Sequence, residues 1–213
     1  SGAGDTVVAT LAIILGTGGD IESASTVSNC AAGIVIAKFG TSVLRKSDLL
    51  NVTSRYISKI NNIENALEII SDWKKNNLSL SFTNGVFDIL HEGHIASLSF
   101  CKDNCEKLIV ALNSDKSVKA LKGSGRPINN ENFRSKIIAL LEIVDLVIIF
   151  DESNPLKIIK KISPDFIFKG SDYSLNEIIG RNFIESYGGK VILTPYIKGK
   201  SSSKIIKKIQ SGK

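Results

Sequence analysis

Phe82-Thr83-Asn84-Gly85-Val86-Phe87-Asp88-Ile89-Leu90-His91-Glu92-Gly93-His94 holds both histidines of a 213-residue chain, three residues apart. Leu78, Leu80 and Phe82 make an apolar run that ends in a Thr-Asn-Gly turn, and an amphipathic segment begins at His91. This pattern predicts a strand, a tight turn, and a helix whose first turn carries His-x-Gly-His. Side chains at i and i+3 share one helical face, and a helix N-terminus attracts anions through its free N–H groups and its dipole. Two imidazoles above a glycine-lined turn, at the C-terminal edge of a strand, thus read as a place to hold phosphate groups while one is attacked. A pair of capping or solvated helix-start histidines is the plainer alternative.

Beyond this stretch, strand and helix patterns alternate. Strands are expected at 78–83, 107–113, 145–150, 165–169 and 190–194, and helices at 92–104, 130–142, 155–162, 181–187 and 201–210. Leu108-Ile109-Val110-Ala111-Leu112 and Leu146-Val147-Ile148-Ile149-Phe150 are apolar throughout, as in parallel strands covered on both faces. The expected fold is therefore α/β, a doubly wound Rossmann-like parallel sheet with its site at the C-terminal strand ends. Residues 60–77 read as a linker helix running from Asn61 to Lys75 and stopped by Asn76-Asn77. Residues 1–59 read as a different, helical domain, with one helix to about Leu15, another from Ile21 to Phe39, and a short element from Ser47-Asp48-Leu49-Leu50. Two such helices cannot bury their apolar faces alone, so their sheet is expected outside this sequence. The α/β domain is placed at 78–213.

With 43% apolar and 23% charged residues, the chain has the composition of a globular protein. No apolar run approaches the ~20 residues of a membrane span. Val7 to Leu15 is too short and lacks the basic leader of a signal peptide. With no methionine, not even at position 1, the chain is expected to be a fragment or a processed product. Much of the net charge of +6 gathers at the C-terminal end, in Lys198, Lys200, Lys204, Lys207, Lys208 and Lys213. Without interleaved aromatics this reads as a solvated or polyphosphate-facing helix face, not as a nucleic-acid surface. Cys30, Cys101 and Cys105 include no Cys-x-x-Cys pair, and no ligand set for a metal can be assembled around them. They read as small core residues in a reducing, cytoplasmic setting.

Four further segments fall where such a sheet places functional loops. After the second strand come Asn113-Ser114-Asp115, then Lys122 and Arg126 flanking a Gly-Ser-Gly loop from which their charges can swing over the pocket. Arg134 on the next helix is a further cation candidate, with a surface position the simpler reading. After the fourth strand, Lys169-Gly170-Ser171-Asp172-Tyr173 sets a glycine beside an aromatic and a carboxylate, which suits a nucleoside. Ser201-Ser202-Ser203-Lys204 offers hydroxyls and helix-start N–H groups to phosphate oxygens, or serves as an ordinary cap. At the chain start, Gly2-Ala3-Gly4-Asp5 offers an anion nest with a carboxylate, or a plain glycine-rich helix start.

Together these residues resemble the nucleotidyltransferase superfamily marked by His-x-Gly-His, in its ADP-heptose synthase branch. The resemblance rests on Thr83 to His94, Asn113-Ser114-Asp115, Lys122-Gly-x-x-Arg126-Pro127, Lys169-Gly-x-Asp172-Tyr173 and the serine-led Ile205-Ile206-Lys207-Lys208-Ile209, and it covers residues 78 to about 211. The start of the chain, with Asn29-Cys-Ala-Ala-Gly-Ile-Val, is similar to the C-terminal end of ribokinase-like sugar kinases. The two occur in this order in bifunctional heptose kinase/adenylyltransferases.

That resemblance implies transfer of AMP from ATP, with Mg²⁺ on its phosphates, to D-glycero-β-D-manno-heptose 1-phosphate. The products are ADP-heptose and pyrophosphate, made for the lipopolysaccharide core. It implies His91 and His94 at the pentacoordinate α-phosphate and Lys122 neutralising charge. Nucleotide contacts would come from Thr83, Asn84, Gly85, Val86, Phe87, Asn113, Asp115, Arg126, Lys169, Gly170, Asp172 and Tyr173, with Ser201, Ser202 and Ser203 at the leaving pyrophosphate. Asp88 is expected to brace the turn. Asp5 matches the kinase catalytic base, in a remnant expected to be inactive. ATP and a sugar 1-phosphate are the implied partners; nucleic acid and membrane are not, and a homo-oligomer is left open. Cytidylyl transfer to an alcohol phosphate such as glycerol 3-phosphate, and nucleotide binding without turnover, are the alternatives. The family's last motif carries threonines where this chain has Ser202 and Ser203, so the choice of ATP over CTP rests on the resemblance.

Overall fold

The computed structural model describes residues 2–36, 43–45, 58–171 and 173–195, together with 202, 205, 206, 209 and 211. The chain forms two compact units, Ser1–Ser58 and Lys59–Lys213.

In the first unit, helices α1 (Ala3–Gly16) and α2 (Ile21–Ile36) pack against each other. Asp20 starts α2 by accepting the Ser23 N–H at 2.8 Å and the Ser23 hydroxyl at 2.7 Å. The buried positions, Thr10, Ala24, Ser28, Ala31 and Val35, are small or β-branched, which lets the two backbones approach closely. Val8, Ile13, Ile21 and Ile36 remain exposed. The expected continuation of α2 to Phe39 and the element at Ser47–Leu50 lie outside the described residues.

The second unit is built on six parallel strands: β1 (Ile60–Asn61), β2 (Leu80–Gly85), β3 (Lys107–Asn113), β4 (Leu146–Phe150), β5 (Phe166–Gly170) and β6 (Lys190–Thr194). Their spatial order is β1-β4-β3-β2-β5-β6. Helices α3 (Ile63–Lys75), α4 (Glu92–Asp103), α5 (Asp115–Lys122), α6 (Glu131–Leu140), α7 (Leu156–Ile162) and α8 (Arg181–Glu185) connect them.

Alternation along β3 shows why the apolar strands are continuous. Ile109 and Ala111 join one core with Ala66, Ile70, Leu80, Phe82, Ile159 and Ile184. Leu108, Val110 and Leu112 join the other, with Leu98, Cys101, Ile138 and Phe168. Successive side chains of a strand face opposite sides, so a strand covered on both faces has no polar position to spare. Cys101 sits fully inside this second core, where burial pushes its thiol up to about 12. That is the inert core role its sequence context indicated.

Three features depart from the expected elements. The stretch read as a linker enters the sheet unit. β1 pairs with Val147 and Ile148 of β4, and α3, capped by Asn62 on the Asn65 N–H at 2.9 Å, buries Ala66 and Ile70 in the first core. Helix α5, within the segment read as a loop, starts at Ser114, whose hydroxyl accepts the Ser117 N–H at 3.1 Å. The expected helices at 130–142 and 181–187 end earlier, at Leu140 and Glu185.

The sheet order reverses direction between β2 and β5, and this topological switch opens a crevice above the C-terminal strand ends. Paired residues of β2 and β5 run only from Ser81–Phe166 to Phe82–Ile167. Beyond them, side chains stitch the two strands together. The Thr83 hydroxyl donates to the Phe168 carbonyl at 3.1 Å, and the Lys169 ammonium reaches the Asn84 side-chain oxygen at 2.5 Å.

Candidate active site

β2 delivers the chain into the crevice at Asn84-Gly85, and the turn that follows is tightly folded. Phe87 adopts φ +49°, a left-handed conformation uncommon for a bulky residue. A Cβ on Gly85 would stand 3.0 Å from the Phe87 ring, so glycine is what allows that ring to fold back over the strand end. Asp88 then turns inward. Its buried carboxylate accepts the Arg126 Nε–H at 2.7 Å and the N–H groups of Ile128 and Asn129, each at 2.9 Å. Burial alone would push this carboxyl up, but the Asn129 and Ile128 N–H groups and the Arg126 guanidinium outweigh it and hold it below its ordinary value. Asp88 thus braces the turn, the role expected for it, and fixes the 126–129 loop to it.

His91 is the N-cap residue of α4 and its carbonyl accepts the His94 N–H at 2.9 Å. The two imidazoles stack, with centroids 3.8 Å apart and planes 24° apart. The His94 ring also meets Phe87 at 5.1 Å. Its Nδ1 is buried and has no hydrogen-bond partner among the described residues. Burial first, then the neighbouring His91 ring and the Lys122 ammonium, pull His94 down to about 4, so the ring is neutral at pH 7.

A cavity of about 430 Å³ lies above these residues. Asn84, Gly85, Val86, Phe87 and His94 form its floor, with Asn113 from β3, Lys122 and Arg126 from the segment after it, Lys169 and Tyr173 after β5, and Ser202. The Lys169 ammonium stands 5.6 Å from the Tyr173 ring centroid, a cation–π pair at the cavity wall. The Ser202 hydroxyl donates to the Ile89 carbonyl at 2.9 Å, which ties the C-terminal segment to the histidine turn. Lys122, Arg126 and Lys169 give the cavity three cationic side chains from different elements, an arrangement suited to a polyphosphate.

Several expected site residues stand elsewhere. Thr83 is buried between β2 and β5 and is not part of the cavity wall; its hydroxyl is used by Phe168. Asp115 is turned to Arg134, whose Nη2 donates to it at 2.7 Å, and its own N–H donates to Glu131 at 2.6 Å. His91 touches His94 but does not line the cavity, and neither does Gly170. Asp5 belongs to the other unit. Asp172, Ser201 and Ser203 lie outside the described residues, as do Lys198, Lys200 and Lys204.

Arg134 corrects the surface expectation outright: it is 1% exposed. It lies one turn before buried Ile138 on α6, and that shared stripe was the available signal. Leu121, Ser153, Pro155, Glu177, Ile178 and Ile179 also line the cavity, although no motif marks them. They arrive through the topology, on the segments that follow β3, β4 and β5.

This geometry agrees with what the chain is similar to. A family model described as Cytidylyltransferase-like matches residues 82–208. A protein named Bifunctional protein HldE from Paramagnetospirillum magneticum is 42% identical over 214 residues, covering 98% of this chain and 44% of that protein. Another of the same name, from Nitrobacter winogradskyi, is 44% identical over 214 residues, again with 98% and 44% covered. The chain therefore spans less than half the length of these relatives. Pantoate-beta-alanine ligase from Francisella tularensis, solved with an ATP form and beta-alanine, superposes with a TM-score of 0.50 at 16% identity over 68% of each chain, a likeness of fold alone. With the motif, the switch-point cavity and the matched span in agreement, the chain belongs to the cytidylyltransferase-like family.

Proposed function

We propose that the 59–213 unit is an adenylyltransferase that transfers AMP from MgATP to D-glycero-β-D-manno-heptose 1-phosphate and releases pyrophosphate. The observation that carries this reading is a neutral, partly buried His94 at a helix start, in the wall of a cavity that Lys122, Arg126 and Lys169 also line. A phosphate oxygen of the sugar phosphate attacks the α-phosphorus, and the bond to the bridging oxygen breaks as pyrophosphate leaves. Little covalent work falls to the protein, so alignment and charge stabilisation carry the rate. His94 donates to the pentacoordinate α-phosphate, with His91 stacked behind it. Lys122 and Arg126 balance the phosphate charge, Lys169 and Tyr173 frame the nucleoside, and Ser202 faces the pyrophosphate.

Among the described residues no group of three or more His, Cys, Asp or Glu side chains is placed to hold a metal ion. Mg²⁺ enters with the nucleotide, as part of the substrate. The first unit reads as the end of a ribokinase-like domain. No described helix is long and apolar enough to cross a membrane.

The test is pyrophosphate release with ATP or CTP against heptose 1-phosphate, glycerol 3-phosphate and other phosphorylated acceptors. ATP with heptose 1-phosphate is expected to give the highest kcat/KM. A preference for CTP, or for an alcohol phosphate, replaces the heptose reading with cytidylyl transfer.

The His94 titration supplies a second test. In the free protein its NMR midpoint is expected near pH 4, and bound ATP should move it upward, because a polyanion reverses the charge environment set by Lys122. The folded form holds fewer protons than the unfolded form between about 4 and 6.5. Its stability therefore falls as pH drops through that window. A free-protein midpoint near 6.5 would contradict the site as described.

A further inference from the structure

Arg134 is the bulkiest fully buried side chain among the described residues. Its Nε donates to the Asn129 carbonyl at 2.9 Å, and Nη1 to the carbonyls of Val86 at 2.6 Å and Asn113 at 2.9 Å. Nη2 closes the set on the Asp115 carboxylate at 2.7 Å. These acceptors come from the turn after β2, the end of β3, the start of α5 and the loop before α6. Removing a cation from water is costly, and an apolar side chain of equal volume would fill the space more cheaply. Only a planar fork of donors can hold three carbonyls and a carboxylate at once.

We propose that Arg134 is a positioning residue for nucleotidyl transfer, holding the turn after β2 and the 126–129 loop in their reactive alignment before the nucleotide arrives. The inference rests on the reading of the cavity as a nucleotidyltransferase site.

Two routes lead from the guanidinium to the cavity. The first is the Val86–Phe87 peptide, which is trans, so its N–H points opposite to its carbonyl. With the Val86 oxygen held by Arg134, the Phe87 N–H is directed away from the guanidinium. The left-handed Phe87 needs such a hold, since strained conformations persist only where their surroundings over-determine them. The second runs through Asn129. Its carbonyl is gripped by Arg134, its side chain donates to the Asp88 carbonyl at 2.7 Å, and its N–H donates to the Asp88 carboxylate at 2.9 Å. That same carboxylate holds Arg126 in the cavity wall.

The experiment compares Arg134→Lys and Asn129→Ala with the wild-type chain in thermal melts, ATP titrations and steady-state pyrophosphate release. One ammonium cannot reach acceptors spread over four segments, so Arg134→Lys should lose roughly 100-fold in kcat, the usual consequence of a misplaced reacting group. Its KM for ATP should stay within about threefold, because the hydrogen bonds of Arg134 go to Asn129, Val86, Asn113 and Asp115, and Lys122 and Lys169 are left to hold the nucleotide. Asn129→Ala, which removes only the side-chain link of the second route and keeps its two backbone links, should lower kcat less, with a slightly lowered melt. An Arg134→Lys protein that melts like the wild type and keeps its kcat within twofold overturns the inference. If Arg134→Lys does not fold, Asp115→Asn, which takes the charge from the carboxylate held by Arg134 Nη2, decides in the same assays, and a kcat within twofold of wild type there overturns the inference. A wild-type chain that releases no pyrophosphate with any acceptor overturns the function reading as well, so the two failures are distinguishable.

Discussion

Replacing His94 by alanine is expected to lower kcat for pyrophosphate release by roughly two to three orders of magnitude, or ~2.7–4 kcal/mol, the cost of removing one preorganised donor from a transition state. The ring stands at the first turn of α4 and in the cavity wall, and its neutral form binds no ground-state anion by charge. The loss should therefore fall on kcat, with KM for ATP little changed. The side chain is only partly buried, so the fold should survive the substitution. His91→Ala removes the ring stacked behind His94 at 3.8 Å, not one lining the cavity, and a smaller loss is expected. Steady-state assays with ATP and heptose 1-phosphate check both. A His94→Ala enzyme within twofold of wild-type kcat would remove His94 from the transition-state contacts.

The largest expected effect on stability comes from Asp88→Ala. The carboxylate is withdrawn from solvent and paired with Arg126, whose side chain is 13% exposed. Removing one partner of such a pair leaves the other with its desolvation uncompensated, at a cost of ~3–5 kcal/mol. Two backbone N–H groups, of Ile128 and Asn129, lose their acceptor as well. Urea unfolding should show the loss, and a difference under ~1 kcal/mol would remove Asp88 as the brace of this turn.

The pH dependence has a definite sign. Asp88 is held below its ordinary value of 3.8, so its contribution is complete above that value and disappears as pH falls through the lower folded value. The variant should lack this acid-sensitive share. The His94 window lies higher, between about 4 and 6.5, which separates the two in an acid titration.

The parts of this structure that were legible in the sequence are those whose physics is local. Leu108 to Leu112 and Leu146 to Phe150 announce buried strands because both faces must be apolar. The histidine pair and the Asp88 brace were legible because a strand, a glycine turn and a helix start leave few alternatives for their placement. β1 was not, since two residues carry no periodicity and Ile60-Asn61 becomes a strand only by lying beside β4. Helix α5 was hidden because Ser117 and Val118 are its only buried residues. Arg134 misled for a related reason: charge argues for the surface, and only four acceptors from distant segments reverse that preference. Ser153 and Glu177 enter the cavity wall through the strand order, which no short stretch encodes.

The smallest strand has a consequence for how this protein behaves in a crowded solution. A parallel sheet ending at β4 would offer a hydrophobic ladder from Leu146 to Phe150 with its amides open, a template on which another chain could add a strand. β1 occupies that edge, the Lys59 carbonyl takes the Val147 N–H at 2.7 Å, and the Lys59 ammonium reaches across to the Leu141 carbonyl at 3.2 Å. A strand of only two residues, led by a lysine, offers almost no ladder of its own to copy. The two-residue strand thus covers the β4 edge at Val147 and Ile148 against self-templated pairing.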